Sequence, residues 1–278
     1  MRLSVSLYSC NPPIRDGKMD IYDVMTFYKS CGVKYIEIVD CYVKDGEKQK
    51  IKDFLDENGL KVSSYSASND FVLGSEEERQ KSIEYVKECC DTALFFGTNI
   101  VRVFSGNMDE GKTLEYEQCV DRIVDGFKQC VKTAEEKGVY LCLENHGVLA
   151  GKPEQVKHII DSVASPNLKS TADVGNFNIV GADPMEAVRM LIGDIGHVHF
   201  KDMTEVSEGG WVSPQGKHFL GCELGKGVVD MEGVVKYLKD SGYDGYISIE
   251  YEAPERECVT AVQNCISYTR GLLEKYDR

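Results

Sequence analysis

The 278-residue chain holds eleven cysteines but no CxxC pair, so it lacks the commonest zinc and dithiol signature. It also has no GxGxxG loop, which removes the usual backbone cradle for dinucleotides. No run approaches about eighteen consecutive apolar residues. The opening MRLSVSLYSC reads as a strand leading to Pro12 and Pro13 rather than as a secretory leader. Positive charge is scarce: 32 Lys and Arg stand against 46 Asp and Glu, for a net charge of −14. Without a local basic patch, such a surface repels a phosphate backbone or an anionic bilayer. The expectation is a cytoplasmic protein with no nucleic-acid or membrane partner. In a reducing compartment, scattered cysteines such as Cys90, Cys130 and Cys142 serve as small apolar residues.

What is present is alternation. Eight runs have strand composition: Leu3–Tyr8, Tyr35–Val39, Lys61–Tyr65, Ile100–Phe104, Val139–Glu144, Leu168–Asp173, His197–Lys201 and Tyr246–Tyr251. Between them the apolar period changes to that of a helix, as in Ile83, Val86, Cys90 and Ala93, or Val120, Ile123, Val124, Phe127 and Val131. Gly32, Gly59, Gly97, Gly138 and Gly242 follow helical stretches, and Pro153 and Pro184 open them. Strand and helix alternating eight times predicts an α/β fold, a single parallel eight-stranded (β/α)₈ TIM barrel spanning 1–278. Met203 to Val229 reads as a lid-like insertion that carries the only tryptophan, Trp211.

Chemistry-bearing residues collect at the ends of these runs. Glu144, Asp173, His199 and Glu250 each stand at or within two residues of the end of a different strand, and in a parallel barrel those ends share one face. Three carboxylates and one imidazole suit a divalent ion of intermediate hardness such as Mn²⁺. In HVHFKD, His197, His199 and Lys201 alternate and so point one way. Glu250 and Glu252 do the same, and burying both without a cation would be costly.

The motifs LENH (143–146), DVGN (173–176), HVHFKD (197–202) and GYDGYISIEYE (242–252), in that order, make the chain resemble the xylose-isomerase-like TIM barrels. These are sugar phosphate isomerases and epimerases, with ketose 3-epimerases, inosose dehydratases and a DNA-repair endonuclease among the relatives. The resemblance implies one divalent metal ion, Mn²⁺ first with Mg²⁺, Co²⁺ or Zn²⁺ as alternatives, held by Glu144, Asp173, His199 and Glu250. It implies substrate contacts at His146, Asn176 and Lys201, with His197 either facing substrate or standing behind the ligands. It also suggests a homo-oligomer. Two departures stand out: ketose 3-epimerases usually carry histidine near Asn176, and the stretch from His199 to Glu250 is longer here.

Two carboxylates on one ion imply proton transfer beside a carbonyl through a metal-stabilised enediolate, with Glu144 and Glu250 as the catalytic pair. Return of the proton on the far face epimerises the carbon, and return to the neighbouring carbon isomerises. Loss of a β-hydroxyl makes the enzyme a keto-sugar or inosose dehydratase, the alternative reading. The expected partner is a small neutral sugar or cyclitol, because the only cations near strand ends are Lys201 and Arg102 and neither lies in an anion loop. A multi-zinc endonuclease would need more than the five histidines present and a basic groove. A barrel without activity, serving as a partner subunit, is a third reading.

Overall fold

A computed structural model describes residues 1–72, 74–108, 114–254 and 258–276. Eight parallel strands close a barrel: β1 (Arg2–Ser6), β2 (Tyr35–Val39), β3 (Lys61–Ser66), β4 (Ile100–Val103), β5 (Tyr140–Glu144), β6 (Leu168–Asp173), β7 (Ile195–Phe200) and, after an insertion, β11 (Tyr246–Ile249). The insertion adds β8 (Asp202–Val206), β9 (Trp211–Val212) and β10 (His218–Cys222) as a separate antiparallel sheet in the order β8-β10-β9. The chain therefore forms the expected (β/α)₈ TIM barrel. All eight predicted runs become strands with small shifts at their ends. β1 stops at Ser6 because a 3₁₀ turn, Leu7–Cys10, takes over before Tyr8, and β7 starts two residues early at Ile195.

Helices between the barrel strands include Glu76–Phe96 and Tyr116–Lys137, on which the two predicted apolar stripes are buried, apart from the half-buried Val124. Local chemistry sets their ends. Ser75 and Glu78 form a reciprocal cap at the start of the first, and Gly97 ends it at φ 83°, a conformation that costs a residue with a Cβ far more. Pro153 and Pro184 occupy first helical turns. Among the described residues no helix is long and apolar enough to cross a membrane.

Strand alternation divides the molecule into an apolar layer and a polar channel. Val5, Ile36, Ile38, Val101, Val103, Leu141, Leu143, Val198, Phe200, Ile247 and Ile249 join the hydrophobic core beneath the helices. The alternate positions Ser4, Ser6, Glu37, Arg102, Glu144, Asp173, His197, His199 and Ser248 are equally buried but polar. Barrel interiors are normally filled by branched apolar side chains. Here the interior becomes a column of donors and acceptors that must satisfy one another or a ligand.

The insertion is anchored by one side chain. Asp202 accepts hydrogen bonds from the backbone N–H groups of Met203 (2.9 Å), Gly225 (2.9 Å), Gly227 (2.9 Å) and Val229 (3.2 Å), so both ends of the segment hang on one carboxylate. A Cβ at Gly227 would stand 2.2 Å from Asp202 Oδ1, so this approach requires glycine. At the far end the Gln215 amide donates to the Gly181 carbonyl, carrying the sheet across to the loop after β6.

Candidate metal centre

Glu144 and Asp173 are the last residues of β5 and β6, His199 is the last but one of β7, and Glu250 directly follows β11. Barrel closure places β5, β6, β7 and β11 side by side, so residues up to 106 positions apart in sequence meet. His199 Nδ1 lies 3.6 Å from Glu250 Oε1, 3.8 Å from Glu144 Oε2 and 4.0 Å from Asp173 Oδ2. One ligand atom from each of the four residues lies within 4.8 Å of all the others. Two donors each about 2.1 Å from a common ion stand about 3–4 Å apart, so these spacings match a shared cation.

The orientation of each group has a local cause. Asp173 Oδ1 accepts from the N–H groups of Gly175 and Asn176, both at 2.9 Å, which turns Oδ2 toward the cluster. Glu144 Oε1 accepts from the Asn176 amide at 3.3 Å. The Arg102 Nε lies 3.2 Å from Glu144 Oε2 without hydrogen-bond alignment. His199 turns Nε2 toward Glu37, 3.1 Å away, and Nδ1 toward the three carboxylates. The consequence is specific: Glu144 Oε2, Asp173 Oδ2 and His199 Nδ1 are buried without an aligned hydrogen bond and converge on one another, the two oxygens having only ion-pair contacts, to Arg102 at 3.2 Å and Lys201 at 3.0 Å. Buried acceptors that outnumber their cationic partners need a further cation or protons.

Charge leads to the same requirement. Four carboxylates are buried here, on Glu37, Glu144, Asp173 and Glu250, against two buried cations, Arg102 and Lys201. With both histidines neutral, the surplus of two negative charges equals the charge of one divalent ion. The residues present therefore fit such an ion. Without it, protons take up the imbalance. Burial raises Asp173 to about 6 against the pull of Lys201, with Glu250 and Glu144 adding to the rise. Burial also raises Glu144, opposed mainly by Arg102. Burial disfavours a charged His199, but Glu37, Glu250 and Glu144 outweigh it and hold the imidazole well above its ordinary value. Glu250 goes the other way, because Lys201 and His199 overcome its burial and keep it well below the usual carboxylate range.

The remaining candidates separate. Lys201 Nζ lies 2.7 Å from Glu250 Oε2, 3.0 Å from Asp173 Oδ2, 3.0 Å from Glu252 Oε2 and 3.3 Å from Asn176 Oδ1, so it is committed to the carboxylates. His146 is exposed, tilted against Phe104 with ring centroids 4.9 Å apart, and lines a cavity of about 450 Å³ together with Asn176 and Glu252. His197 is fully buried one layer below, 2.9 Å from Glu37 Oε2, and does not line that cavity.

Three residues outside the candidate set belong to this assembly: Glu37, Arg102 and Asn145. Glu37 had a usable signal, a lone carboxylate between Ile36 and Ile38 in a strand core, which is costly unless partnered. Burial alone would raise its carboxyl, yet His199 and the hydrogen bonds from both histidines hold it well below the usual range. Arg102 was visible as a cation near a strand end, but not its partner Glu144. Asn145 had no signal beyond its polar neighbours.

Comparisons with known proteins agree with this architecture. Residues 25–267 match the family model of the xylose isomerase-like TIM barrel. The chain is 26% identical over 208 residues to an inosose dehydratase of Clostridium perfringens, covering 72% of this chain and 61% of the relative. It is 28% identical over 203 residues to an L-ribulose-5-phosphate 3-epimerase of Salmonella typhi, covering 70% and 66%. The chain thus spans less than two thirds of either relative's length. In structure it is similar to the IolI protein solved with a binding zinc atom, with a TM-score of 0.81 at 20% identity over 99% of both chains, a likeness of fold. The chain belongs to the xylose isomerase-like TIM barrel family.

Proposed function

We propose that the protein is a divalent-metal-dependent sugar isomerase or epimerase that moves a proton beside a carbonyl, with Glu144, Asp173, His199 and Glu250 as ligands. The observation that carries this reading is the convergence of Glu144 Oε2, Asp173 Oδ2 and His199 Nδ1 in a buried cluster that holds two more carboxylates than cations. Mn²⁺ suits three oxygen donors and one nitrogen. When bound, the ion supplies positive charge beside the substrate carbonyl, which acidifies the adjacent C–H and stabilises the enediolate.

The side chains do the rest. Glu144 comes from β5 and Glu250 from β11, with β6 and β7 between them, so two carboxylates reach the reacting carbon from different directions. One takes the C–H proton and the other returns a proton to the opposite face, which inverts the carbon with no net change in atoms. The two carboxylates meet different counter-charges, Lys201 Nζ 2.7 Å from Glu250 Oε2 and Arg102 Nε 3.2 Å from Glu144 Oε2, which gives the pair unequal environments for taking and returning the proton. Asn176 and His146 stand at the cavity edge of the cluster, where His146 can donate to a substrate hydroxyl and Asn176 Oδ1 can accept from one, its amide hydrogens being held by Glu144 and the Asn145 carbonyl.

The cavity supports a neutral substrate. Among the described residues it is lined by no lysine or arginine; Glu252 supplies its one charge. Its outer wall is apolar. Val148, Trp211 and Val212 are 61%, 37% and 54% exposed, three of the eight large apolar side chains left exposed among the described residues, and all three line this one cavity. Concentrated exposed apolar surface marks a binding face. A polyhydroxylated ketone would set its hydroxyls against Asn176 and His146 and its C–H face against Trp211. That wall also favours a second reading, dehydration of a ring-closed ketone such as an inosose, in which the same proton abstraction is followed by loss of a β-hydroxyl.

Both readings are tested by metal analysis of the purified protein, then incubation of the Mn²⁺-loaded form in D₂O with a panel of ketoses and inososes. Deuterium in a product of unchanged skeleton is the expected result; a product lighter by one water selects the dehydratase. A protein that binds no divalent ion and exchanges no proton overturns both.

A further inference from the structure

Glu37 stands in the middle of β2, a strand that contributes none of the four proposed ligands, and is fully buried. Its Oε2 lies 2.9 Å from His197 Nε2, and its two oxygens each lie 3.1 Å from His199 Nε2. Ser66 Oγ donates to Oε1 at 2.6 Å. An ionised carboxylate has only lone pairs to offer. Both imidazoles must therefore present N–H at Nε2, and in neutral His199 the free lone pair falls on Nδ1, the atom facing Glu250, Glu144 and Asp173. In the reverse tautomer an N–H would point at the cation position and a bare Nε2 would face the Glu37 oxygens. His197 adds a mechanical constraint: its ring packs edge-on against that of His199, with centroids 5.3 Å apart at 81°, leaving His199 little room to swing.

Glu37, His197 and His199 also form a cluster whose donor atoms could hold an ion of their own. Their facing atoms, however, are already paired with one another and with Ser66, whereas the atoms without an aligned hydrogen bond, Glu144 Oε2, Asp173 Oδ2 and His199 Nδ1, converge on the other side of His199.

We propose that Glu37 is a positioning residue for the metal centre: one carboxylate on β2 fixes the tautomer and rotamer of His199 from behind, with His197 as wedge, so that Nδ1 is the coordinating atom. This rests on the divalent-ion reading of the site. Partners that orient a ligating histidine are typically worth about 10–100-fold in metal affinity.

The test uses the full chain and Zn²⁺ or Mn²⁺ alone. In the Zn²⁺-loaded wild type, nitrogen NMR of labelled histidine is expected to show His199 metal-bound at Nδ1, with a hydrogen-bonded proton on Nε2. Calorimetry is expected to give about 10–100-fold weaker Mn²⁺ binding for Glu37→Gln, with loss of that Nε2 proton signal and with partial recovery in Glu37→Asp. Coordination through Nε2, a second bound ion, or a folded Glu37→Gln that binds as tightly as wild type overturns the proposal. If Glu37→Gln does not fold, the wild-type spectrum still decides which nitrogen binds. A wild type that takes up no ion overturns the divalent-ion reading itself, and with it this proposal.

Discussion

Asn145 and Asp173 clasp one another across adjacent strand ends: the Asn145 amide donates to the Asp173 carbonyl at 2.9 Å, and the Asp173 N–H donates to Asn145 Oδ1 at 2.7 Å. The pair is fully buried and locks together the ends that carry Glu144 and Asp173. Asn145→Ala leaves two backbone groups without partners, at about 1–3 kcal/mol each. A loss of about 2–4 kcal/mol is expected in urea denaturation of the metal-free protein, together with weaker Mn²⁺ binding. An unchanged midpoint would mean that other groups align the strands.

Lys201 is the principal counter-charge to Asp173 and Glu250. Removing one partner of a buried ion pair costs about 3–5 kcal/mol, so Lys201→Met should markedly lower the Tm of the metal-free protein. Mn²⁺ should recover more of the loss than it adds to the wild type, because the ion supplies the missing positive charge. Equal Mn²⁺ shifts in both proteins would separate Lys201 from the ion's electrostatics.

Metal affinity should depend on pH with a definite sign. Asp173, raised by burial to about 6, carries a proton below that pH, and a cation must displace it. Mn²⁺ binding therefore weakens as pH falls through about 6, and more protons are released on loading at about pH 5.5 than at about pH 8. His199 contributes a further proton wherever it is charged. For the metal-free fold the sign reverses: a carboxyl raised above its unfolded value stabilises the folded state when protonated, so this group's contribution improves as pH falls from about 6 to about 4. Calorimetry in buffers of different ionisation heat measures the proton count directly.

Glu144→Gln and Glu250→Gln should each abolish deuterium exchange at the substrate carbon, with a loss of about 10²–10⁴-fold from acid–base chemistry alone. Both variants should keep the barrel, as read by circular dichroism. Wild-type turnover in either would remove that residue from the proton path.

Trp211→Ala should raise KM about tenfold while changing kcat little, because the ring contributes contact to substrate and transition state alike. Mn²⁺ affinity should stay unchanged, since Trp211 lines the cavity wall rather than the ligand cluster. A drop in kcat at constant KM would place the ring in the chemistry instead.

Much of this protein was determined by its sequence alone. Strand runs alternating with helical stripes point to a parallel α/β sheet flanked by helices, because each strand must bury one face under the next helix. A run that ends in a carboxylate or an imidazole marks the face on which those groups gather, which is why Glu144, Asp173, His199 and Glu250 could be singled out before any contact was known. The tertiary structure alone decided which polar groups satisfy which. Glu37 meets His197 and His199 from 160 and 162 positions away, and that pairing depends on barrel closure and register, which no local pattern encodes. His197 and His199 look equivalent in sequence because both point inward. Their difference is depth: two residues along a strand shift a side chain by about 7 Å, enough that His197 meets Glu37 alone among the carboxylates while His199 also reaches Glu144, Asp173 and Glu250.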